Sequence, residues 1–357
     1  MNKTPVIQLI DSLDVGGAEM MSVNIANLLN KETFESHICV TRNEGTLKSK
    51  LDNDIGYLYL NKSKVIDIKA LRTFVKYLRS NSIKIIHAHS TSIYFAVFAK
   101  LVCWNLKIIW HDHYGFSSDY SKRPLKILKM TSIFINVILS VNKNLLTWAQ
   151  ENLLCRKTYY FSNFAAFKDS NEKTTLKGTK GNRIVCVAGL RPQKDHFNLI
   201  KAFSEVIEDT NDWSLHIVGN DYGDEYSLEV KKMTQEDTLR DRVFFYGARH
   251  DIENILSQSD IAVLSSKSEG LPVSLLEYGL GKVAAVCTNV GQCSEVLTDK
   301  NLLVDKEDSK LLADAIKLLI KNPKFRETSG SELYKNVFTN FSKEAYNKKL
   351  TEVYKNV

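Results

Sequence analysis

Glu269 and Glu277 stand eight residues apart in the stretch SEGLPVSLLE, and the residues between them are those that open a helix behind a buried strand. Residues 261–264 read as the strand, Glu269 and Gly270 as a polar loop, Pro272 as the first helical position, and residues 283–287 as the next buried strand. A proline there leaves the N–H groups of residues 270, 271 and 273 without intrahelical partners, facing whatever lies before the helix. That is an anion site, with Gly270, Leu271 and Pro272 forming its rim. The two carboxylates can address different ends of one elongated ligand, such as a phosphate flanked by hydroxyl-bearing rings. Two glutamates on a loop and a helix are more often merely solvated, so the pair needs support from elsewhere in the chain.

Support comes from AGLRPQKDHF, which follows another apolar run at residues 183–188. Arg191 and Lys194 stand just past that strand, where a planar fork and a point charge can hold a diphosphate and stabilise it as a leaving group. Cations at a helix start are otherwise unfavourable, which argues for an accompanying anion. Gly16 and Gly17, after the strand at residues 6–10, let backbone approach a ligand at the start of a helix over residues 20–30. The third glycine of a dinucleotide fingerprint is missing. Gly219 and Gly247 end two further strand runs.

Two His-x-His elements, His87-Ala88-His89 and His111-Asp112-His113, sit at strand ends. Residues i and i+2 share a strand face, so each pair can ligate a metal, and a metal-dependent hydrolase is a rival reading. Apart from Asp112 no carboxylate cluster accompanies them. Asp52-Asn53-Asp54 has metal-binding spacing but lies in a polar turn away from the strand ends, and no metal is expected there.

The elements that must position these residues alternate between strand and helix. In the first half, strands fall at residues 37–41, 57–60, 83–87, 107–110 and 137–141, with an amphipathic helix at 65–80. In the second half, strands fall at 213–218 and 243–246 besides those above, with helices at 197–208, 228–238 and 311–321. Alternation of this kind predicts α/β architecture, with two Rossmann-like doubly wound parallel-sheet domains facing a cleft. Their expected limits are 1–165, a polar linker at 166–182, a second domain at 183–338, and a terminal helix at 339–357 that crosses back to the first domain.

The string E-G-x-P-x-S-x-x-E at Glu269–Glu277 and G-L-x-x-x-K-x-x-x-x-L-I-x-A-F from Gly189 to Phe203 resemble the donor site of the family-4 retaining glycosyltransferases, glycosyl transferases group 1, of GT-B fold. GGAE, HAHS, HDHYG and SNFAAF extend the resemblance over nearly the whole chain, although the last has Asn163-Phe164 where the family more often has Asn-Gly. The resemblance implies transfer of a sugar from a nucleotide-diphosphate sugar of UDP or GDP type, with retention and without a required metal or other cofactor. It implies that Glu277 holds the ribose, Glu269 the donor sugar, and Arg191 and Lys194 the diphosphate. His111 or His113 would contact the sugar near the reacting carbon, and Gly219 and Gly247 would match the strand-end glycines, the second near the base. A nucleotide-sugar epimerase or a non-catalytic binding module on the same scaffold remains a third possibility.

Charge and composition bear on the acceptor. Residues 1–165 carry 21 Lys and Arg against 12 Asp and Glu, whereas the remainder carries 27 against 29. Lys122, Arg123, Lys126 and Lys129 alternate with Leu125, Ile127, Leu128 and Met130, a pattern suited to an anionic bilayer surface. The alternative is a core-facing helix with a solvated basic side. A lipid-linked or saccharide acceptor, as in bacterial surface polysaccharide assembly, is expected, with no nucleic-acid partner. Six scattered cysteines without CxxC pairs, no signal-peptide pattern at the start, and no apolar run of membrane-spanning length predict a cytoplasmic protein, peripheral at the inner face of the plasma membrane.

Overall fold

A computed structural model describes residues 3–14, 16–29, 31–114, 120–167, 170–210 and 212–357. Val15 of the first loop, Asn30, Gly115 of HDHYG, and Lys168 and Asp169 of the expected linker lie outside the described residues. The chain divides into one unit comprising Met1–Asn163 with Asn347–Val357, and a second comprising Phe164–Tyr346.

The first unit is built on seven strands: β1 (Thr4–Ser12), β2 (Phe34–Asn43), β3 (Gly56–Tyr59), β4 (Ile85–His89), β5 (Lys107–Asp112), β6 (Val137–Ser140) and β7 (Thr158–Tyr160). Every pairing is parallel, in the order β3-β2-β1-β4-β5-β6-β7. The helices between them are α1 (Gly17–Leu28), α2 (Ile68–Ser80), α3 (Ile93–Val102), α4 (Leu125–Ser132) and α5 (Lys143–Asn152). Strand sequences such as VIQLI and KIIW are apolar on both faces, as a sheet covered on both sides requires. The order reverses between β1 and β4, so the loops after these strands meet at the switch point where ligands of open sheets bind.

The second unit carries β8 (Arg183–Val187), β9 (Ser214–Val218), β10 (Val243–Phe245), β11 (Ile261–Leu264), β12 (Ala284–Thr288) and β13 (Leu303–Val304), again all parallel, in the order β10-β9-β8-β11-β12-β13. Its helices are α6 (His196–Glu208), α7 (Glu225–Met233), α8 (Ile252–Leu256), α9 (Val273–Leu280), α10 (Cys293–Val296), α11 (Ser309–Lys321) and α12 (Pro323–Phe341). Here the switch point lies between β8 and β11.

Several boundaries differ from the sequence reading. The helix expected at 65–80 begins at Ile68 because the Asp67 carboxylate caps it, accepting from the Ala70 N–H at 2.9 Å, and Val65 and Ile66 are exposed. The helix expected at 228–238 is shifted to Glu225, again under an aspartate cap, Asp224. Residues 166–182 do not form a free linker. Leu176 is buried in the second unit's core, and the Thr174 N–H and hydroxyl both donate to Asp251, at 2.6 and 3.0 Å. The terminal segment is not one helix, since Ser342 separates α12 from α13 (Lys343–Lys355). Only residues from Asn347 onward belong to the first unit.

Candidate functional site

At the second unit's switch point, the loop after β8 forms a 3-10 turn at Pro192–Lys194, and Asp195 then adopts a left-handed conformation (φ 50°) to cap α6 through the Asn198 N–H. The Ser265 hydroxyl at the end of β11 donates to the Lys194 carbonyl at 2.9 Å, and the Lys267 N–H donates to the Gln193 carbonyl at 2.8 Å. These bonds hold the two strand-end loops together. Lys194 Nζ reaches Glu269 Oε1 at 2.5 Å, and the Ser266 hydroxyl donates to the same oxygen at 2.6 Å. The carboxylate is 10 % exposed and the ammonium 23 %, so the pair is poorly screened. The sequence reading gave these two residues separate partners, and the structure joins them.

Tyr278 explains why α9 sits where it does. Fully buried, its hydroxyl donates to the Val263 carbonyl at 3.2 Å and accepts from the Val187 N–H at 2.7 Å, tying the helix to both switch-point strands. Glu277, one residue earlier, is half-buried on α9. Pro272 is the N-cap of α9, not its first helical residue as expected, because its ψ of 109° is extended. Gly270 is exposed, Leu271 is half-buried, and open space surrounds the place where a Cβ of Gly270 would stand. Arg191 is exposed, with its guanidinium 4.6 Å over the Tyr222 ring beyond β9.

The two strand-end glycines differ in kind. A Cβ on Gly219 would lie 2.1 Å from the Ala188 carbonyl oxygen, so this glycine serves the close packing of β9's end on β8's end. Gly247 has φ +67° and open space around it, so its conformation is what calls for glycine. In the first unit, Gly16 is the N-cap of α1 and Gly17 its first residue, with open space beside Gly17.

The first unit gathers all four histidines of the two His-x-His elements. Each element lies deeper in the sheet than expected, because β4 and β5 run two residues further, pairing His89 with His111. His87, His89 and His111 are fully buried, and ring nitrogens of these three come within 4.8 Å of one another. His87 stacks on His89 at 4.7 Å and 17° and on His111 at 5.3 Å and 18°, while His111 is tilted against His89 (5.5 Å, 34°) and His113 (4.1 Å, 33°). Imidazole lone pairs lie in the ring plane, so stacked rings direct them along parallel planes and not onto one ion. Burial drives all four pKa values down, His113's to about 3, and keeps the rings neutral. His113 alone among the four is partly exposed.

Arg123 does not belong to a surface stripe. It is buried, its guanidinium donates to Asp112 Oδ2 at 2.6 Å, and it lies 4.0 Å over the Trp148 ring. Asp52 and Asp54 are exposed and paired with Lys31. Gln8 and Tyr354, which bond to the histidines, went unnoticed in the sequence, though a glutamine inside PVIQLI is a signal worth heeding.

Two parallel α/β units, each with loops gathered at a switch point, define the GT-B class. Family models agree: residues 15–154 match Glycosyltransferase Family 4 and residues 167–336 match Glycosyl transferases group 1. The chain belongs to the family-4, group 1 glycosyltransferases. It is 26% identical over 313 residues (80% of this chain, 78% of the other) to the Escherichia coli UDP-Gal:alpha-D-GlcNAc-diphosphoundecaprenol alpha-1,3-galactosyltransferase. To the Staphylococcus aureus capsular polysaccharide biosynthesis glycosyltransferase CapH it is 23% identical, covering 96% of this chain and 98% of the other. Among solved structures, Anabaena Alr3699/HepE in complex with UDP superposes with a TM-score of 0.81 at 18% identity, covering 99% of this chain and all of that one. Among the described residues, no helix is long and apolar enough to cross a membrane.

Proposed function

We propose that this glycosyltransferase takes a sugar from a UDP- or GDP-type donor, with retention and without a metal, and adds it to a lipid-linked precursor of a bacterial surface polysaccharide. The observation that carries the reading is the Lys194–Glu269 pair at the second unit's switch point, with Arg191 on the same loop and Glu277 on the helix that follows. Lys194 and Arg191 would neutralise the diphosphate while Glu269 takes the sugar hydroxyls and Glu277 the ribose. Of His111 and His113, we assign the sugar contact to His113, because His111 is 0 % exposed. The galactosyltransferase named above uses a UDP-sugar and a diphosphoundecaprenol acceptor by its name, which supports the donor and acceptor classes. The stacked imidazoles argue against the metallohydrolase, and the named relatives, transferases all, do not favour the epimerase.

A thermal-shift panel of UDP-, GDP- and ADP-sugars in EDTA tests the donor site. At a hundred times its dissociation constant the right donor adds about 2.7 kcal/mol to the folded state. The shift is expected to vanish in Glu277→Ala and Arg191→Ala. Stabilisation by zinc or manganese alone, with no donor effect, would defeat the reading.

Peripheral binding to an anionic membrane is the second part of the proposal. On α4, Lys126 and Lys129 are exposed beside Ile127 (56 %) and Met130 (68 %), and Ile133 just beyond is 63 % exposed. Trp104 (71 % exposed), which follows the exposed Leu101 and Val102 at the end of α3, lies edge-on to Phe134 at 6.5 Å between centroids. Such a face combines apolar anchors with cations. Double reversal, Lys126→Glu with Lys129→Glu, is expected to abolish co-sedimentation with anionic vesicles; equal sedimentation of variant and wild type would refute membrane binding through α4.

A further inference from the structure

Lys62 follows β3, and its N–H donates to the Thr41 carbonyl at 2.6 Å, which draws the loop inward over β2. Its ammonium stands 5.5 Å over the ring of Phe95, in the first turn of α3. The side chain thus reaches from the edge of the first sheet toward the switch point between β1 and β4, where ligands of open sheets bind. Lys62 is 7 % exposed, yet among the described residues its ammonium makes no hydrogen bond and no ion pair.

The nearby carboxylates are committed elsewhere. Asp11, at the end of β1, accepts from the Thr41 and Thr91 hydroxyls, both at 2.6 Å, and Asp67 caps α2. Burial and the neighbouring Arg42 charge lower the Lys62 pKa from 10.5 against the pull of both carboxylates. Arg42, on β2, is exposed and also makes no ion pair among the described residues. A cation buried without a counter-ion costs folding free energy, and the cost is recovered when an anion arrives from outside.

Three residues further on, the same loop is apolar and faces water: Val65, Ile66 and Ile68 are 77 %, 67 % and 61 % exposed, with Lys64 and Lys69 exposed among them. Asp67, between Ile66 and Ile68, is close enough for its charge to be felt at Lys62, so this run lies beside the ammonium. Adjacent exposed apolar side chains mark a surface that binds something. Inorganic phosphate or a nucleotide would leave them in water, whereas an anion on a hydrocarbon chain would use both features.

We propose that Lys62, assisted by Arg42, seats the phosphates of the lipid-linked acceptor, with Val65, Ile66 and Ile68 against the adjoining hydrocarbon. This deepens the function proposed above and rests on it for the acceptor's identity. A bilayer phospholipid also carries phosphate on a hydrocarbon chain, and the experiment separates the two sources.

Titration calorimetry with farnesyl diphosphate on the full chain compares wild type, Lys62→Met, and Val65→Ser combined with Ile66→Ser. Lys62→Met is expected to weaken binding by about tenfold or more, as loss of a charge-assisted contact does. It is expected to be at least as resistant to heat as wild type without ligand, because it removes a buried unpaired charge. The serine pair is expected to weaken farnesyl diphosphate and leave inorganic pyrophosphate unchanged. No binding by wild type, equal affinity in Lys62→Met, or a Lys62→Met that melts lower would overturn the seat. Unchanged affinity in the serine pair would overturn the hydrocarbon contact. Parallel loss of sedimentation with phosphatidylglycerol vesicles in Lys62→Met would give the seat to a bilayer phospholipid, and weakened UDP-sugar binding would give it to the donor; either overturns the acceptor role. Lys62-dependent binding of farnesyl diphosphate by a wild type that transfers no sugar from any UDP or GDP donor would count against the functional reading alone.

Discussion

Lys194→Met is expected to reduce kcat/KM for sugar transfer by about 10²- to 10³-fold, the loss typical when a preorganised charge at a developing anion is removed. In the proposed reaction the leaving diphosphate would gain charge as the sugar departs, and Lys194 lies 2.5 Å from the carboxylate assigned to that sugar. Removal has a second effect. Glu269, 10 % exposed, would keep, among the described residues, only the Ser266 hydroxyl, so a partly buried carboxylate would lose its counter-charge and its fixed orientation. Lys194→Arg restores charge but replaces a point donor with a planar fork, so partial recovery is expected. Steady-state kinetics over donor concentration, with thermal unfolding as the folding check, decide the matter. A well-folded Lys194→Met with less than about a tenfold loss would show that the pair does not serve the reaction.

Arg123→Met is expected to destabilise the first unit by about 3–5 kcal/mol, because it strands a buried carboxylate. Asp112 and Arg123 have side chains only 2 % and 3 % exposed, and they meet at 2.6 Å. The corresponding fall in melting temperature is roughly 10 °C for a domain of this size. The effect depends on pH in a defined direction. Burial already pushes the Asp112 carboxyl above its ordinary 3.8, against the pull of Arg123, and loss of the guanidinium raises it further. The folded variant then holds a proton that the unfolded chain releases, so its stability falls as pH rises through the folded pKa. The difference from wild type should be larger at pH 8 than at pH 5 by chemical denaturation. A loss below about 1 kcal/mol, or one that is the same at both pH values, would mean that the pair is not a structural charge pair.

Arg123 also shows where sequence reading stops. Among Lys122, Lys126 and Lys129 it has the composition of a basic surface stripe, and nothing local distinguishes it. Its partner is eleven residues earlier in HDHYG, and only the fold brings the two together. The parallel sheets were legible for the opposite reason: runs such as RIVCV and IAVL are apolar on both faces, and strand burial leaves few other places for them. The loops after β8 and β11 are legible as strand-to-helix connections that carry Arg191, Lys194 and Glu269, with Glu277 on the helix that follows. Their mutual contacts were not, since Lys194 and Glu269 are 75 residues apart and meet only because β8 pairs with β11. The stretch at 166–182 looked like a linker from its polarity, yet its backbone is captured by Asp251 and Gln258, whose side chains cannot be paired with it from sequence alone.

The second unit is a continuous stretch, whereas the first is interrupted by it and completed by Asn347–Val357. Gln8 must wait for Tyr354, 346 positions later, before the middle of its sheet has its last hydrogen bond. During synthesis, then, the later-made unit can close first, while the earlier-made one emerges from the ribosome with its histidine cluster unsealed. A released chain that ends before residue 347 is therefore expected to leave its first unit open to proteases while its second resists them.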